Sequence, residues 1–159
     1  MKAAVLNQIP GDLMIEDISV DKPGPGEVLV QTVNAGLCHS DLHFMDGQWS
    51  RLPLPAVMGH ESAGIVQAVG PDVTYVKPGD HVITCLSLFC GHCEFCLTGH
   101  MSLCGTPEVK MPPGKAQRLR WNGKHLNQFL NLSSFAELML THENAIVKVR
   151  EDMPLDRAA

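Results

Sequence analysis

The sequence predicts a mostly β fold with short helices, in which the strands form a barrel-like domain and a zinc-binding loop lobe protrudes. Glycine and proline are plentiful, at 14 and 11 of 159 residues, and they divide the chain into short segments typical of strands joined by tight turns. Helical periodicity is weak throughout. Four cysteines lie close together between positions 90 and 104, which predicts the lobe.

The first half of the chain predicts three strands and one helix. Strands are expected over residues 2–7 and 13–19, separated by a Pro-Gly-Asp turn. Residues 27–35 carry apolar side chains at both alternating sets of positions, which predicts a strand buried on both faces. A short helix is expected over residues 40–45.

The second half predicts further strands around the cysteine lobe. Residues 59–69 are rich in β-forming residues and contain glycines that predict bends in a curved sheet. A strand over 81–87 leads into the lobe. The Asn-Gly pair at 122–123 supplies the positive φ angles of a type I′ hairpin turn. The last strands are expected over 134–140 and 145–149.

The lobe, residues 88–106, contains Cys90, Cys93, Cys96 and Cys104. Four thiolates suit a tetrahedral Zn²⁺ ion, with each sulfur about 2.3 Å from the metal. Such a set leaves no open position for a substrate, so the spacing predicts a structural zinc site that holds a long loop together.

Other interpretations of the four cysteines fit less well. A disulfide framework is typical of secreted proteins, and the sequence shows neither a signal peptide nor a long apolar stretch. An iron–sulfur arm places its fourth cysteine sooner and before proline, whereas Cys104 precedes Gly105. A redox pair needs only two cysteines. His92 and His100 are possible ligands, but four cysteines already suffice.

A second group of potential ligands lies upstream of the lobe. Cys38 and His60 are residue types that bind catalytic zinc, which takes three protein ligands and keeps one open position. On spacing alone the signal is weak, because only two ligands are evident. Cys85, the remaining cysteine, lies in a predicted strand and is more typical of a small core residue.

Several motifs in fixed order carry a family resemblance. They are Cys38-His39-Ser40-Asp41-Leu42-His43, Gly59-His60-Glu61-Ser62-Ala63-Gly64, Val76-Lys77-Pro78-Gly79-Asp80-His81-Val82, the four-cysteine lobe and Ser134-Phe135-Ala136-Glu137. Together they resemble the zinc-dependent alcohol dehydrogenases of the medium-chain dehydrogenase/reductase superfamily, and the resemblance covers essentially the whole chain. It implies a GroES-like β fold for residues 1–159.

The resemblance also implies roles for individual residues. Cys38 and His60 would be ligands of a catalytic zinc, with the acidic Glu61 able to approach the metal. Cys90, Cys93, Cys96 and Cys104 would hold the structural zinc.

Four further roles concern the segment that follows Cys38. Ser40 would take the proton of the alcohol, and His43 would pass it towards solvent. Asp41 would orient a zinc-bound histidine, and His39 would lie near the cofactor pyrophosphate. Without the resemblance, Ser40 and Asp41 are more typical of residues that cap a short helix, and His43 of a surface histidine.

The implied function is reversible NAD(P)-linked oxidation of alcohols to aldehydes or ketones through a zinc-bound alkoxide. Members of the family supply a third cysteine ligand and a Rossmann domain for NAD or NADP. No Gly-x-Gly-x-x-Gly fingerprint occurs in the sequence, which ends at Ala159. We therefore expect a catalytic domain without its cofactor domain, inactive alone and weak in binding the catalytic zinc. The alternative is a non-enzymatic zinc-binding module of the same fold.

Composition limits the partners. The net charge of −5 comes without a basic stripe, which argues against nucleic acid and anionic membranes. A small alcohol or aldehyde is the expected substrate, in a cytoplasmic protein whose full-length form is a homo-oligomer. The identity of the substrate is not readable from these residues.

Overall fold

The computed structural model describes residues 1–106, 109 and 118–159, which form two sheets and short helices. The strands are β1 (Lys2–Leu6), β2 (Leu13–Asp17), β3 (Ser19–Val20), β4 (Glu27–Ala35), β5 (Ala56–Val57), β6 (Ser62–Val69), β7 (His81–Thr84), β8 (Leu119–Trp121), β9 (Lys124–Gln128), β10 (Leu138–His142) and β11 (Ile146–Lys148). The α-helices are α1 (His39–Met45), α2 (Glu94–Leu97) and α3 (Leu155–Ala158). One-turn 3₁₀ helices cover Met101–Leu103, Phe129–Asn131 and Glu143–Ala145.

The two sheets differ in their strand order. The first runs β2-β1-β5-β9-β8-β3, and the second runs β10-β4-β6-β7-β11. Neighbouring strands are antiparallel except for the parallel pair β5 and β9. The predicted mostly β fold with short helices is confirmed.

Strand β4 lies inside the second sheet, where it pairs with β10 on one side and with β6 on the other. Its bounds match the predicted strand over 27–35. The prediction that both faces are buried is wrong, however, because Val28 and Val30 are buried while Val33 is 47% exposed. Register shifts in the pairing with β6, between Leu29 and Val30 and again between Thr32 and Asn34, mark bulges of the kind that curve a sheet.

Several predicted strands have different bounds in the structure. The strand predicted over 13–19 divides at Ile18, which is buried in the core between β2 and β3. The prediction over 134–140 is wrong at its start, because pairing in β10 begins only at Leu138. Before β10, Ser133 has a left-handed backbone conformation with a φ of 62°. The segment that follows it pairs with β1 through an isolated bridge between Ala136 and Ala3.

The remaining strands are shorter than predicted at their ends. Strand β1 stops one residue early at Leu6, β6 begins at Ser62 and β7 ends at Thr84. Strand β11 begins at Ile146, because the 3₁₀ turn Glu143–Ala145 precedes it.

The predicted hairpin turn is confirmed. Asn122 and Gly123 have φ angles of 50° and 74°, and they join β8 to β9 in antiparallel register. Both angles lie in the left-handed region that a type I′ turn requires.

Among the residues that the structure describes, buried apolar side chains form three clusters. One lies along the second sheet, one along the first, and the third packs α1 against the barrel. The third consists of Leu6, Phe44, Met58 and Phe129. It fixes the helix that carries the predicted catalytic motif next to the segment that leads into β6.

Over the described residues, none of the helices combines the length and the apolar character that crossing a bilayer demands.

Candidate metal centres

The first candidate centre is built at the start of α1. Cys38 precedes the helix in an extended conformation, with φ −93° and ψ 146°. The side chain of the N-cap residue, Cys38, makes no capping hydrogen bond. The side chain of Ser40 lies near the Cys38 sulfur, and the carboxylate of Asp41 interacts with the backbone N–H groups of Cys38 and Gly59.

Cys38, His60 and Glu61 form a compact group, here called the Cys38–His60–Glu61 cluster. One potential ligand atom from each residue lies within 4.8 Å of the others. His60 is buried, Cys38 is half-buried and Glu61 is exposed. A thiolate, an imidazole and a carboxylate are donors that Zn²⁺ accepts, so the donor set fits this metal.

Asp41 lies behind His60 and contacts its ring. The carboxylate is buried, and its Oδ1 atom accepts a hydrogen bond of 3.0 Å from the backbone N–H of Gly59. The other oxygen, Oδ2, lies 3.5 Å from Nδ1 of His60. Burial raises the pKa of Asp41, while the Gly59 amide and His60 oppose this shift. Because Nδ1 faces Asp41, Nε2 is the ring nitrogen left for a metal.

A tight backbone turn at Gly59 delivers His60 to this position. Gly59 has a φ of 89°, in the region that favours glycine. A Cβ atom at this position would lie 2.4 Å from the ring of Phe135 and 2.7 Å from its backbone nitrogen. The turn therefore requires glycine both for its φ angle and for the close approach of Phe135.

The predicted proton-transfer residues lie in one neighbourhood. Ser40 Oγ is 3.5 Å from the sulfur of Cys38. The rings of His39 and His43 meet edge to face with centroids 4.7 Å apart, and His43 is also 4.7 Å from Trp49. Nδ1 of His43 is buried and has no hydrogen-bond partner in the described part of the chain, so His43 is not an ordinary surface histidine.

A cavity of about 350 Å³ lies at the end of α1. Its lining consists of Phe44, Gln48, Trp49, Ser50 and Arg51. Because Trp49 contacts both this cavity and His43, the space lies beside the predicted proton-transfer residues.

The second candidate centre is the four-cysteine cluster of the lobe. The potential ligand atoms of Cys90, Cys93, Cys96 and Cys104 all lie within 4.8 Å of one another. The Cys93 and Cys96 sulfurs are 3.5 Å apart, and the Cys90 and Cys96 sulfurs are 3.9 Å apart. Sulfurs 2.3 Å from a zinc at the corners of a tetrahedron lie about 3.8 Å apart, so the cluster fits a structural zinc site.

The thiols of this cluster are electrostatically unequal. The hydroxyl of Thr106 and the backbone amides of His92 and Cys93 lower the pKa of Cys90 to about 5, against burial. Burial raises the pKa of Cys96 to about 11. All six cysteines of the chain lie in the described residues, and none forms a disulfide. A cation at the centre is what allows four crowded sulfurs to ionise together.

Comparison with known proteins identifies the fold. The sequence profile of the alcohol dehydrogenase GroES-like domain family matches residues 24–151. The chain belongs to this family. The GroES-like domain is 37% identical over 161 residues to alcohol dehydrogenase class-3 of Oryza sativa subsp. japonica, covering 98% of the chain and 42% of that protein. It is 40% identical over 162 residues to the NDMA-dependent alcohol dehydrogenase of Amycolatopsis methanolica, covering 99% and 43%.

Solved structures agree with this assignment. The alcohol dehydrogenase zinc-binding domain protein from Burkholderia ambifaria superposes with a TM-score of 0.87 at 39% identity, covering 97% of the chain and 43% of that structure. Benzyl alcohol dehydrogenase from Acinetobacter calcoaceticus gives a TM-score of 0.82 at 36% identity, covering 99% and 43%. The predicted GroES-like fold is confirmed, and the chain spans less than half the length of these relatives.

Two residues beside the Cys38–His60–Glu61 cluster were not predicted from the sequence of this GroES-like domain. The ring of Phe129 packs edge to face on His60, with centroids 5.4 Å apart. Thr84 hydrogen-bonds to the backbone on both sides of Glu61. Neither residue belongs to a recognisable motif, and only the pairing of strands brings the two residues close to the cluster.

Proposed function

We propose that the whole protein is a zinc-dependent dehydrogenase that interconverts small alcohols with aldehydes or ketones, using NAD or NADP. The observation that carries this proposal is the convergence of Cys38, His60 and Glu61, with ligand atoms within 4.8 Å, directly before a helix that bears Ser40 and His43. The family membership of the chain supports it, as do relatives that are named alcohol dehydrogenases.

Cys38, His60 and Glu61 are the residues that would hold the catalytic zinc, and Asp41 would orient His60 through Nδ1. When bound, zinc supplies a Lewis acid that lowers the pKa of an alcohol hydroxyl towards neutrality. The four-cysteine cluster has a different role, because four thiolates complete the coordination of a tetrahedral ion and leave no place for a substrate.

The proton of the alcohol needs a path out of the buried site. Ser40 is proposed to receive it, and its Oγ atom lies 3.5 Å from Cys38 Sγ at the edge of the cluster. A serine hydroxyl is a poor base and works only by passing a proton on. His43, one turn further along α1, is the proposed next acceptor, and the exposed His39 contacts its ring on the solvent side.

His39 is also the proposed contact for the cofactor pyrophosphate. We place the NAD(P)-binding domain outside these 159 residues, in keeping with the 43% of the Acinetobacter enzyme that the chain covers. Another neighbour, an NAD-dependent alcohol dehydrogenase with a TM-score of 0.73 at 32% identity, supports the nicotinamide cofactor. The residues present here are accordingly expected to bind structural zinc but to show no turnover alone.

The cavity beside Trp49 is the proposed place for the carbon chain or ring of the substrate. Its wall combines two aromatic side chains with polar ones, which suits a small, partly apolar alcohol. The net charge of −5 and the lack of a basic stripe support a protein without nucleic-acid or membrane partners. The whole protein is further proposed to be cytoplasmic and to form a homo-oligomer.

The test is NAD(P)H formation by the whole zinc-loaded protein with a panel of primary and secondary alcohols. Ser40→Ala should lower kcat/KM about a hundredfold or more, because the relay loses its first acceptor. Ser102→Ala, which alters an exposed serine of the lobe, is the matched control and should keep wild-type activity. Bound zinc without oxidation of any alcohol or reduction of any aldehyde would favour the non-enzymatic module instead.

A further inference from the structure

We propose that Thr84 is a positioning residue that sets the geometry of His60 and Glu61 at the Cys38–His60–Glu61 cluster. This inference rests on the metal site proposed above and assigns one more residue to it. In the described residues, the hydrogen bonds of Thr84 go to backbone atoms and not to the potential metal-ligand atoms. It acts through the backbone of the segment that carries two of the three ligands.

Strand register brings Thr84 next to the segment that carries His60 and Glu61. Strands β6 and β7 pair from Ile65 and His81 up to Ala63 and Ile83. The next residues along, Ser62 and Thr84, would form the following pair. At this end of the ladder the threonine side chain takes over the pairing, because its hydroxyl reaches the backbone of the opposite strand.

The hydroxyl of Thr84 bonds on both sides of Glu61. Its oxygen accepts a hydrogen bond of 2.9 Å from the backbone N–H of Ser62. Its single proton is shared between two backbone carbonyl oxygens, that of His60 at 3.1 Å and that of Ser62 at 3.3 Å. One hydroxyl therefore ties together the residues that precede and follow Glu61.

The opposite side of the segment is fixed by Gly36, one residue beyond β4. The backbone N–H of Gly36 donates to the carbonyl of Glu61 over 3.0 Å. A Cβ atom on Gly36 would lie 2.8 Å from a carboxylate oxygen of Glu61. The three consecutive residues 60–62 are thus held from the β4 side by Gly36 and from the β7 side by Thr84.

This clamp has a direct chemical consequence. Adjacent residues in extended backbone direct their side chains to opposite faces, so His60 and Glu61 converge on one point only if their shared peptide is held out of regular strand geometry. Loss of the Thr84 hydroxyl leaves the N–H of the buried Ser62 without its acceptor. It also removes the donor to the His60 carbonyl, which belongs to the peptide shared by His60 and Glu61. Groups that orient metal ligands typically change metal affinity 10- to 100-fold when removed.

The experiment compares cobalt binding by the whole wild-type protein with binding by Cys38→Ser, by two variants at Thr84 and by one variant at a distant threonine. Cys38→Ser identifies the part of the cobalt–thiolate absorption that belongs to the Cys38–His60–Glu61 cluster. Thr84→Val, which keeps the shape and removes the hydroxyl, should weaken Co²⁺ affinity at this cluster about tenfold or more while the four-cysteine cluster is unaffected. Thr84→Ser should restore the wild-type affinity and spectrum.

Thr141→Val is the matched control. Thr141 lies on β10 and donates a side-chain hydrogen bond of 3.0 Å to the carbonyl of Asn131, so the variant also loses a partly buried hydroxyl contact in the same sheet. It should lose some stability yet keep wild-type Co²⁺ affinity at the cluster. If Thr84→Val does not fold, Thr84→Ala gives the same comparison.

Three outcomes would overturn the inference. Equal Co²⁺ affinity in Thr84→Val and wild type shows that the clamp is unnecessary. Equal weakening in Thr84→Val and Thr141→Val shows a general effect of destabilisation. Absence of any Cys38-dependent absorption in the wild-type protein removes the proposed metal site itself, and the role of Thr84 with it.

Discussion

Gly59 shows how one residue can determine the placement of a metal ligand. Its N–H donates to Asp41 and its carbonyl accepts from Ser134, while its φ of 89° turns the chain so that His60 follows in the buried site. Glycine alone meets both demands, because any side chain here would be strained and would collide with Phe135.

Gly59→Ala tests this double demand. We expect a loss of about 3 kcal/mol in the free energy of unfolding, which sums left-handed strain and overpacking against Phe135. Gly79→Ala is the control, since Gly79 has a similar φ of 93° but no atom of the described residues lies within 4 Å of the added Cβ. That variant should lose only about 1 kcal/mol. Urea unfolding measures both, and equal losses would argue against the collision with Phe135.

At the scale of elements, the lobe contrasts with the sheets. Helix α2 has four residues and the following 3₁₀ turn has three, and neither buries a residue. Phe95, Leu97, Met101 and Leu103 are all substantially exposed. With so little buried apolar surface, the fold of the lobe depends on the metal at the four-cysteine cluster.

Removal of one ligand should therefore unfold the lobe locally. We expect Cys96→Ser to lose the structural zinc and to lose hydrogen-exchange protection over residues 90–104, while β4 and β6 keep theirs. Cys85→Ser serves as the control, because Cys85 is a half-buried cysteine outside both clusters and should keep the zinc. Exchange followed by mass spectrometry gives the answer, and a protected lobe without metal would contradict the dependence.

At the scale of the whole molecule, Asp80 links stability to pH. This buried carboxylate bonds to Lys148 of β11 at 2.7 Å and accepts from the N–H of Lys77 at 3.0 Å. These contacts, the Lys148 hydrogen bond first, lower the pKa of Asp80 from its ordinary value of 3.8. The folded state therefore binds a proton at Asp80 less readily than the unfolded state. The ionised carboxylate accordingly contributes its full share to the free energy of unfolding above pH 4, and this share is lost as the pH falls through the lowered pKa.

Asp80→Asn should expose this dependence. At pH 7 the variant should unfold at lower urea concentration than the wild type, because it loses the charge that pairs with Lys148. The difference should shrink as the pH falls below 4, where the wild-type carboxylate becomes protonated. Asp156→Asn, at an exposed aspartate of α3, is the control and should match the wild type throughout. A difference that persists unchanged at low pH would contradict the role of the charge.

Local chemistry predicted those parts of the fold whose causes are local. The Asn-Gly hairpin and the spacing of the lobe cysteines depend on neighbouring residues, and both have the predicted arrangement. The start of β10 was mispredicted because the path of the chain before Leu138 depends on left-handed backbone that only tertiary packing selects. Thr84 could not be predicted, because its contact with Ser62 exists only once β6 and β7 are in register.

The contact between Trp49 and His43 gives the protein an intrinsic optical probe. The chain has two tryptophans, and Trp49 forms part of the cavity wall while lying 4.7 Å from the His43 ring. The other, Trp121, lies on β8 and donates its indole N–H to Glu16. Fluorescence from Trp49 will therefore change when a molecule fills the cavity or His43 reorients, and Trp121 provides a constant background emission against which that change is read.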